Sequence, residues 1–377
     1  MRPLSDQLSD VNHTGQKIHA NTLSKQLRPV RENVTDESVM RDSSDIGRDD
    51  RGCPDGRQTR PHNTDRERPL CRERPGCTDR ERARVEPIVE RALGLSVIDC
   101  RRPKTGAVAD TFVLECADEP RRVVSKIGGA SIWTGDVVEP LVIDRVRSAT
   151  AIPVPEVYAT GSIRTGDERR RWALYEYVGG DVPRDCGRDT RRRLVRSAGE
   201  MLGELHAAFE FERIGGIARR GNDLVLREPS SRNLLASSTV GRVVPVVTAG
   251  DPDCRPVLDH GDFFPKNLLV DDGEITAILD WGNAHVTHAG YGMARAEARF
   301  VDLARVDRRE RSRLRRAFRA GYADRARLPP SYDEQAPFYK GLWLAQSAVN
   351  LGYVARSGRG RVQLHRQLRN WVRDRLP

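Results

Sequence analysis

Three polar side chains in one short stretch carry the chemistry that this sequence suggests. From Val257 to Trp281 the chain reads VLDHGDFFPKNLLVDDGEITAILDW. Asp262 is followed after four residues by Asn267, and Asp280 comes near the end of the stretch. Two apolar runs, Asn267 to Val270 and Ile275 to Leu279, flank an Asp271-Asp272-Gly273 turn, which is the pattern of a hairpin. Asn267 and Asp280 are hard oxygen donors suited to magnesium, an ion that takes few protein ligands and completes its octahedron with water and phosphate oxygens. Asp262 is left to receive or orient a hydroxyl. An aspartate near its reference pKa of about 3.9 is a feeble base toward an alcohol, so orientation followed by late proton transfer is the expected role. His260 would brace this loop by hydrogen bonding.

An Asp, four residues and an Asn, followed by a later metal-holding Asp, is the spacing of the phosphoryl-transfer template. Glycine, not arginine, follows His260 here, and Trp281 follows Asp280. HGDxxxxN ahead of a strand ending in Asp-Trp resembles the aminoglycoside phosphotransferase and choline kinase-like family, and the resemblance runs from about Val85 to the carboxyl end. It implies a two-lobed, protein-kinase-like α+β fold with an antiparallel-sheet N-lobe and a mainly helical C-lobe. It also implies ATP or another nucleoside triphosphate, Mg2+, and a small-molecule hydroxyl acceptor: an aminoglycoside, choline-like alcohol, amino alcohol or sugar. By the same resemblance Lys126 would meet the nucleotide's phosphates, with Glu139 as its partner and Asp144 in reserve. Backbone groups from Glu176 to Val178 would meet the adenine edge. Protein kinases carry a phosphate-contacting lysine two residues after the catalytic Asp; Phe264 stands there, and Lys266 is assigned no role. A Tyr-Asp-Leu-Ala-like sequence usually buttresses the family's catalytic loop, whereas this chain has Tyr291-Gly292-Met293-Ala294. The buttressing carboxylate is therefore missing unless Glu297 or Asp302 substitutes.

The elements that must position these residues are legible from periodicity. Val85 to Leu93 reads as a short helix; Ser96 to Cys100, Ala109 to Cys116 and Arg121 to Ile127 read as strands, with turns at Lys104-Thr105-Gly106 and Asp118-Glu119-Pro120. Glu139 is expected on the next helix, although Pro140 is awkward there. The prolines of Ile152 to Tyr158 force an extended segment, and Trp172 to Val178 reads as a buried strand. Apolar residues at helical spacing mark a helix from Thr190 to Phe211, with His206 as a packed, hydrogen-bonded histidine. Residues 212 to 256 read as a loop-rich insertion. Helices are expected over Met293 to Leu303, Arg311 to Tyr322, Gln335 to Val354 and Val362 to Leu376.

Residues 1–84 have few large apolar side chains and no sustained period, which predicts a disordered, low-complexity tail. The echo of Thr64 to Arg68 in Thr78 to Arg82 reads as part of it. The expected organisation is thus this tail, a nucleotide-binding lobe over 85–180 and a catalytic, metal-holding helical lobe over 181–377. The formal net charge is +10, yet only six of the 64 basic residues are lysine, which points to a nucleotide bias in the gene before a nucleic-acid surface. No nucleic-acid partner is expected, since no recognised binding module accompanies the charge. The basic balance favours anionic ligands such as ATP. Seven cysteines, Cys53, Cys71, Cys77, Cys100, Cys116, Cys186 and Cys254, form no CxxC pair, so reduced thiols and a cytoplasmic protein without a membrane span are expected. Two rival readings remain: a nucleotide-binding pseudokinase serving as an interaction module, and a protein kinase. Intact Lys126, Asp262, Asn267 and Asp280 weigh against the first. Gly261 and the lack of an Ala-Pro-Glu segment after Asp280 weigh against the second.

Overall fold

A computed structural model describes residues 76–103, 110–128, 135–165, 168–183, 186–220, 223–226 and 255–354. The first 75 residues of the expected tail, the Lys104 to Gly106 turn, most of 212–256 and the expected helix at Val362 to Leu376 lie outside these. Helix α1 (Asp79–Leu93) starts six residues before Val85. Its start is a reciprocal capping box: the Thr78 hydroxyl accepts from the Glu81 N–H at 3.3 Å, and the Glu81 carboxylate accepts from the Thr78 N–H at 2.9 Å. The second copy of the Thr-Asp-Arg-Glu-Arg echo is therefore a helix start, not low-complexity sequence.

Strands β1 (Val97–Arg101), β2 (Asp110–Cys116) and β3 (Arg122–Ile127) follow, then helix α2 (Gly135–Ala149) and strands β4 (Val157–Thr165) and β5 (Glu168–Glu176). They form one antiparallel sheet in the order β1-β2-β3-β5-β4. Alternation in β2 puts Phe112 and Leu114 on the face that α1 covers with Val85 and Val89, all with no exposed surface. Cys77 and Cys100 form a disulfide that ties the segment before α1 to β1, and the Cys77 N–H donates to the Cys100 carbonyl at 2.9 Å. This corrects the expectation of reduced thiols for that pair. The two residues are far apart in sequence and meet only because α1 packs across the sheet, so no local motif marks them. Cys116 and Cys186 are free thiols.

The second lobe opens with α3 (Arg188–Ala208), followed by β6 (Gly215–Arg220) and β7 (Asp223–Leu226). Two strands thus stand in the stretch expected to be irregular. Glycine-rich β6 forms because β11 pairs with it at Gly215 and Gly216, a partner supplied by tertiary structure. Next come β8 (Pro256–Asp259), the hairpin β9 (Leu268–Asp271) and β10 (Glu274–Ile278), and β11 (His285–His288). The hairpin turn has φ of 46° at Asp272 and 80° at Gly273, the left-handed pair that a tight two-residue loop requires. Three helices follow: α4 (Ala289–Glu297), continued by a π-helical turn over Ala298–Asp302, then α5 (Arg308–Arg325) and α6 (Tyr332–Val354). Val142 of α2, Leu202 of α3, Leu258 of β8, Trp281 and Phe318 of α5 share one core. Through that core α2, the helix carrying Glu139, is anchored on the helical lobe. Among the described residues no helix is long and apolar enough to cross a membrane.

Candidate active site

The loop between β8 and β9 is held by its own histidine. The Asp262 N–H donates to His260 Nδ1 at 3.1 Å, which places the ring proton on Nε2, and Nε2 donates to the Leu279 carbonyl at 3.0 Å. The ring lies 4.4 Å from the Trp281 ring, and burial holds its pKa below the ordinary histidine range. His260 therefore acts as a neutral strut between the backbone of Asp262 and the residue before Asp280. Gly261 is needed beside it. Its φ is +82°, and a Cβ there would stand 1.9 Å from the Asn283 carbonyl oxygen, so the arginine of protein kinases has no room.

Asn267 donates from Nδ2 to the Asp262 backbone carbonyl at 2.9 Å and approaches Asp262 Oδ2 at 3.5 Å. With its amide nitrogen so engaged, the carbonyl oxygen is left as a ligand. Asp280 has φ of 66°, a conformation costing a non-glycine residue about 1 kcal/mol or more, and its side chain is 56% exposed. The Leu279 N–H donates to the Asn267 backbone carbonyl at 2.8 Å, which joins the two segments, and a strained, open carboxylate and a carboxamide oxygen are donors of the kind that fits magnesium.

Lys126 spans the cleft from β3. Its Nζ lies 2.8 Å from Glu139 Oε1 and 3.6 Å from Asp280 Oδ1. Burial alone would lower its pKa, but Glu139 and Asp280 outweigh it and hold the ammonium above its ordinary range. Glu139 Oε1 also accepts the Trp281 N–H at 3.1 Å. One carboxylate thus ties β3, α2 and the turn after Asp280 together. Pro140 sits inside α2 and does not prevent this; its missing N–H is the one that would have bonded the Asp136 carbonyl. Asp144 lies elsewhere: burial pushes its pKa up to about 6, and its charged neighbours are Arg147, Arg145 and Glu156. At the end of β5 the Glu176 N–H donates to the Glu156 carbonyl at 2.9 Å. Residues 177–180 leave the sheet before Asp181 bridges to Val270. Lys266 is exposed and His206 fully buried, as expected of each.

The missing buttress has a local explanation that sequence reasoning missed. A Cβ on Gly292 would stand 2.2 Å from Asp259 Oδ2, so the carboxylate of Asp259 fills the space a side chain at position 292 would need. Asp259 is 2% exposed, pairs with Arg295 Nη2 at 2.6 Å, and accepts the Gly261 N–H at 2.7 Å. Burial would raise its pKa, but Arg295 holds it well below the usual carboxylate range. The brace has moved from α4 to the strand that enters the loop. Glu297 and Asp302 do not take its place, because they are bound to Arg315, Arg319 and Lys340 within the helical lobe. Arg299 was also unforeseen. It pairs with Asp262 Oδ1 through Nη2 at 2.8 Å.

A family model described as the phosphotransferase enzyme family matches residues 139–334, a little over half the chain. The chain belongs to that family. The match includes Glu139, Glu176, Val178, Asp262, Asn267 and Asp280 and begins after Lys126. No curated protein sequence matches. Among solved structures this phosphotransferase is similar to a thermostable mutant of aminoglycoside phosphotransferase APH(4)-Ia in ternary complex with AMP-PNP and hygromycin B. The identity is 18% and the TM-score 0.51, over 78% of this chain and 98% of that one. It is likewise similar to aminoglycoside phosphotransferase APH(4)-Ia itself, at 18% identity and TM-score 0.51 over 79% and 100% of the two chains. Macrolide 2'-phosphotransferase MphH from Brachybacterium faecium also matches, at 16% identity and TM-score 0.46, over 76% and 97%. The likeness to APH(4)-Ia bears out the two-lobed, protein-kinase-like α+β fold.

Proposed function

We propose that this phosphotransferase moves the γ-phosphoryl group of ATP, with Mg2+, onto a hydroxyl of a small molecule. The observation that carries this reading is the junction of Lys126, Glu139 and Asp280, which joins the sheet lobe to the segment ending the catalytic hairpin. An ammonium fixed by two carboxylates is oriented for phosphate oxygens, and positioning with charge neutralisation is most of what phosphoryl transfer requires. Residues 85–180 form the nucleotide lobe, with the Glu176 carbonyl and the Val178 backbone on the adenine edge. Residues 181–377 carry the acceptor. Asn267 and Asp280 would hold Mg2+, which supplies charge neutralisation on the transferred group. Asp262, fixed through its N–H by His260 and through its carbonyl by Asn267, orients the acceptor hydroxyl and takes its proton late in the transfer. The acceptor belongs to the aminoglycoside, amino alcohol, choline-like alcohol or sugar class, and APH(4)-Ia in complex with hygromycin B is the precedent for the first.

The test is a thermal-shift and ADP-release assay on the full chain with Mg2+, ATP and an acceptor panel, beside Asp262→Asn. ATP at about a hundred times its dissociation constant should stabilise the fold by roughly 2.7 kcal/mol. Asp262→Asn should keep that shift and lose about 10²- to 10⁴-fold in turnover. No magnesium-dependent shift with any nucleoside triphosphate would sink the proposal. A shift without turnover on any acceptor would favour the pseudokinase reading instead.

A further inference from the structure

Arg299 has no role so far, and it lies against the carboxylate on which the proposed reaction turns. It sits in the π-helical turn after α4, a local insertion of the kind that recurs at functional sites. Its side chain is 16% exposed. Besides the 2.8 Å pair with Asp262, its Nη1 lies 3.5 Å from the Gly261 carbonyl, and its guanidinium lies over two rings, 5.4 Å from Phe264 and 5.4 Å from Trp343. Burial pulls its pKa below the ordinary arginine range and Asp262 opposes this; an arginine stays charged regardless.

An arginine here needs a reason, because it occupies an oxygen of the carboxylate that must meet the acceptor hydroxyl. Among the described residues the other cations about the loop are committed or remote: Arg295 to Asp259, Lys126 to Glu139 and Asp280, with Lys266 exposed. Phe264 stands where protein kinases carry a phosphate-contacting lysine, and the guanidinium of Arg299 lies over that same ring. The charge absent at position 264 is thus restored from the π-helical turn. Resting on the reading of this site as an ATP-dependent phosphotransferase, we propose that Arg299 is a catalytic residue that binds the equatorial oxygens of the phosphoryl group during transfer.

In that step the acceptor oxygen forms a bond to Pγ while the bond from Pγ to the oxygen bridging the β and γ phosphates breaks. The acceptor proton passes to Asp262, ADP leaves with the electron pair, and Arg299 remains protonated. It releases part of its pairing with Asp262 as negative charge spreads over the phosphoryl oxygens. The two rings hold the guanidinium plane so that little rearrangement is needed.

The experiment compares the full-length wild type, Arg299→Gln and Arg299→Lys for affinity toward ADP with Mg2+, alone and with aluminium fluoride as the transition-state mimic. Wild type should bind more tightly when fluoride is present. Arg299→Gln should keep its ADP affinity within a few-fold and lose about 100-fold or more of the fluoride-dependent tightening, the scale on which a transition-state arginine acts. Arg299→Lys should retain part of it, which also controls for a Gln variant that folds poorly. An equal fluoride effect in wild type and both variants would overturn the inference and leave the proposed function standing, as would a wild type that binds ADP with no fluoride effect. A wild type that binds no nucleotide removes the function itself. An acceptor KM raised by Arg299→Gln with an unchanged kcat would mean that Arg299 holds the acceptor, and would also overturn the inference.

Discussion

Two clusters of charge meet at the π-helical turn, which gives Arg299 to one and Asp302 to the other, and they are built to opposite ends. In the helical lobe Glu297 and Asp302, with no exposed surface on either side chain, face Arg315, Arg319 and Lys340. Each carboxylate oxygen pair meets at least two cations, with distances such as 2.6 Å from Arg315 to Asp302 and 2.8 Å from Lys340 to Asp302. Tyr332 adds its hydroxyl to Glu297 at 3.4 Å. At the cleft Glu139, Asp262 and Asp280 face only Lys126 and Arg299 among the described residues, and Asp280 is more than half exposed. The first cluster pairs every cation, Arg319 also meeting the exposed Asp333, and keeps Glu297 and Asp302 from water. The second has a surplus of carboxylate and admits it. A saturated network holds structure; an unsaturated one is available to a ligand, and the negative surplus suits a metal cation.

Removing one member from each cluster should have opposite consequences for stability and for nucleotide binding. Glu297→Gln takes a fully buried carboxylate away from the buried Lys340 and the half-buried Arg315 and Arg319, and the loss of one partner from a buried network costs about 3 to 5 kcal/mol. Chemical denaturation should show that loss, with nucleotide affinity unchanged in whatever fraction remains folded. Lys126→Met, at the open cluster, leaves Asp280 to water but strips the buried Glu139 of its ammonium, so it should cost less stability than Glu297→Gln while abolishing the ATP-dependent thermal shift. If Lys126→Met proved the more destabilising of the two, the distinction between a structural and a ligand-binding network would fail.

The open cluster was also the legible one. Asp262, Asn267 and Asp280 declare themselves through local spacing, and Lys126 through its place on a strand, because their geometry is set by one hairpin and one sheet. Glu139 was readable as a partner, and its proline neighbour proved compatible with the helix. Asp259, Arg295 and Arg299 were not foreseen, since their meaning lies in contacts between elements some thirty or more residues apart. A signal was present all the same: a carboxylate in the apolar strand Val257 to Asp259, two arginines four apart in a buried helix, and a glycine where a carboxylate was expected. Buried charges must find one another, so these absences and excesses had to be complementary. The start of α1 was missed for a different reason. The Thr78 to Glu81 capping box is a local signal, but it lay inside sequence whose composition argued for disorder.

Asp259 and Gly292 exchange space beneath the catalytic loop. Gly292→Ala puts a methyl 2.2 Å from Asp259 Oδ2. Overpacking of this kind costs about 1 to 3 kcal/mol. Because Asp259 holds the Gly261 N–H, turnover should fall beyond what the stability loss explains. Gly292→Asp combined with Asp259→Ala returns a carboxylate to α4 within reach of Arg295. A double-mutant cycle in which that pair loses less than the sum of the single losses would demonstrate the shared space, whereas strict additivity would deny it.

The smallest effect separates the two histidines beneath the loop. His206 is fully buried and shares a hydrogen bond with the Tyr322 hydroxyl at 3.0 Å; burial pushes its pKa down to about 4. Its folded pKa thus lies below the unfolded value of about 6.5, so under acid conditions the unfolded chain binds a proton that the folded chain refuses. Stability is complete above about pH 6.5 and falls toward pH 4, by about 1 kcal/mol near pH 5.5 from this group. His206→Gln should flatten that part of a stability-pH profile and leave the pH dependence of turnover unmoved. His260, whose neutral ring holds the Asp262 N–H, should instead be read through turnover. A turnover profile that shifts with His206→Gln would place His206 in the catalytic loop's hydrogen-bond network rather than in the core beneath it.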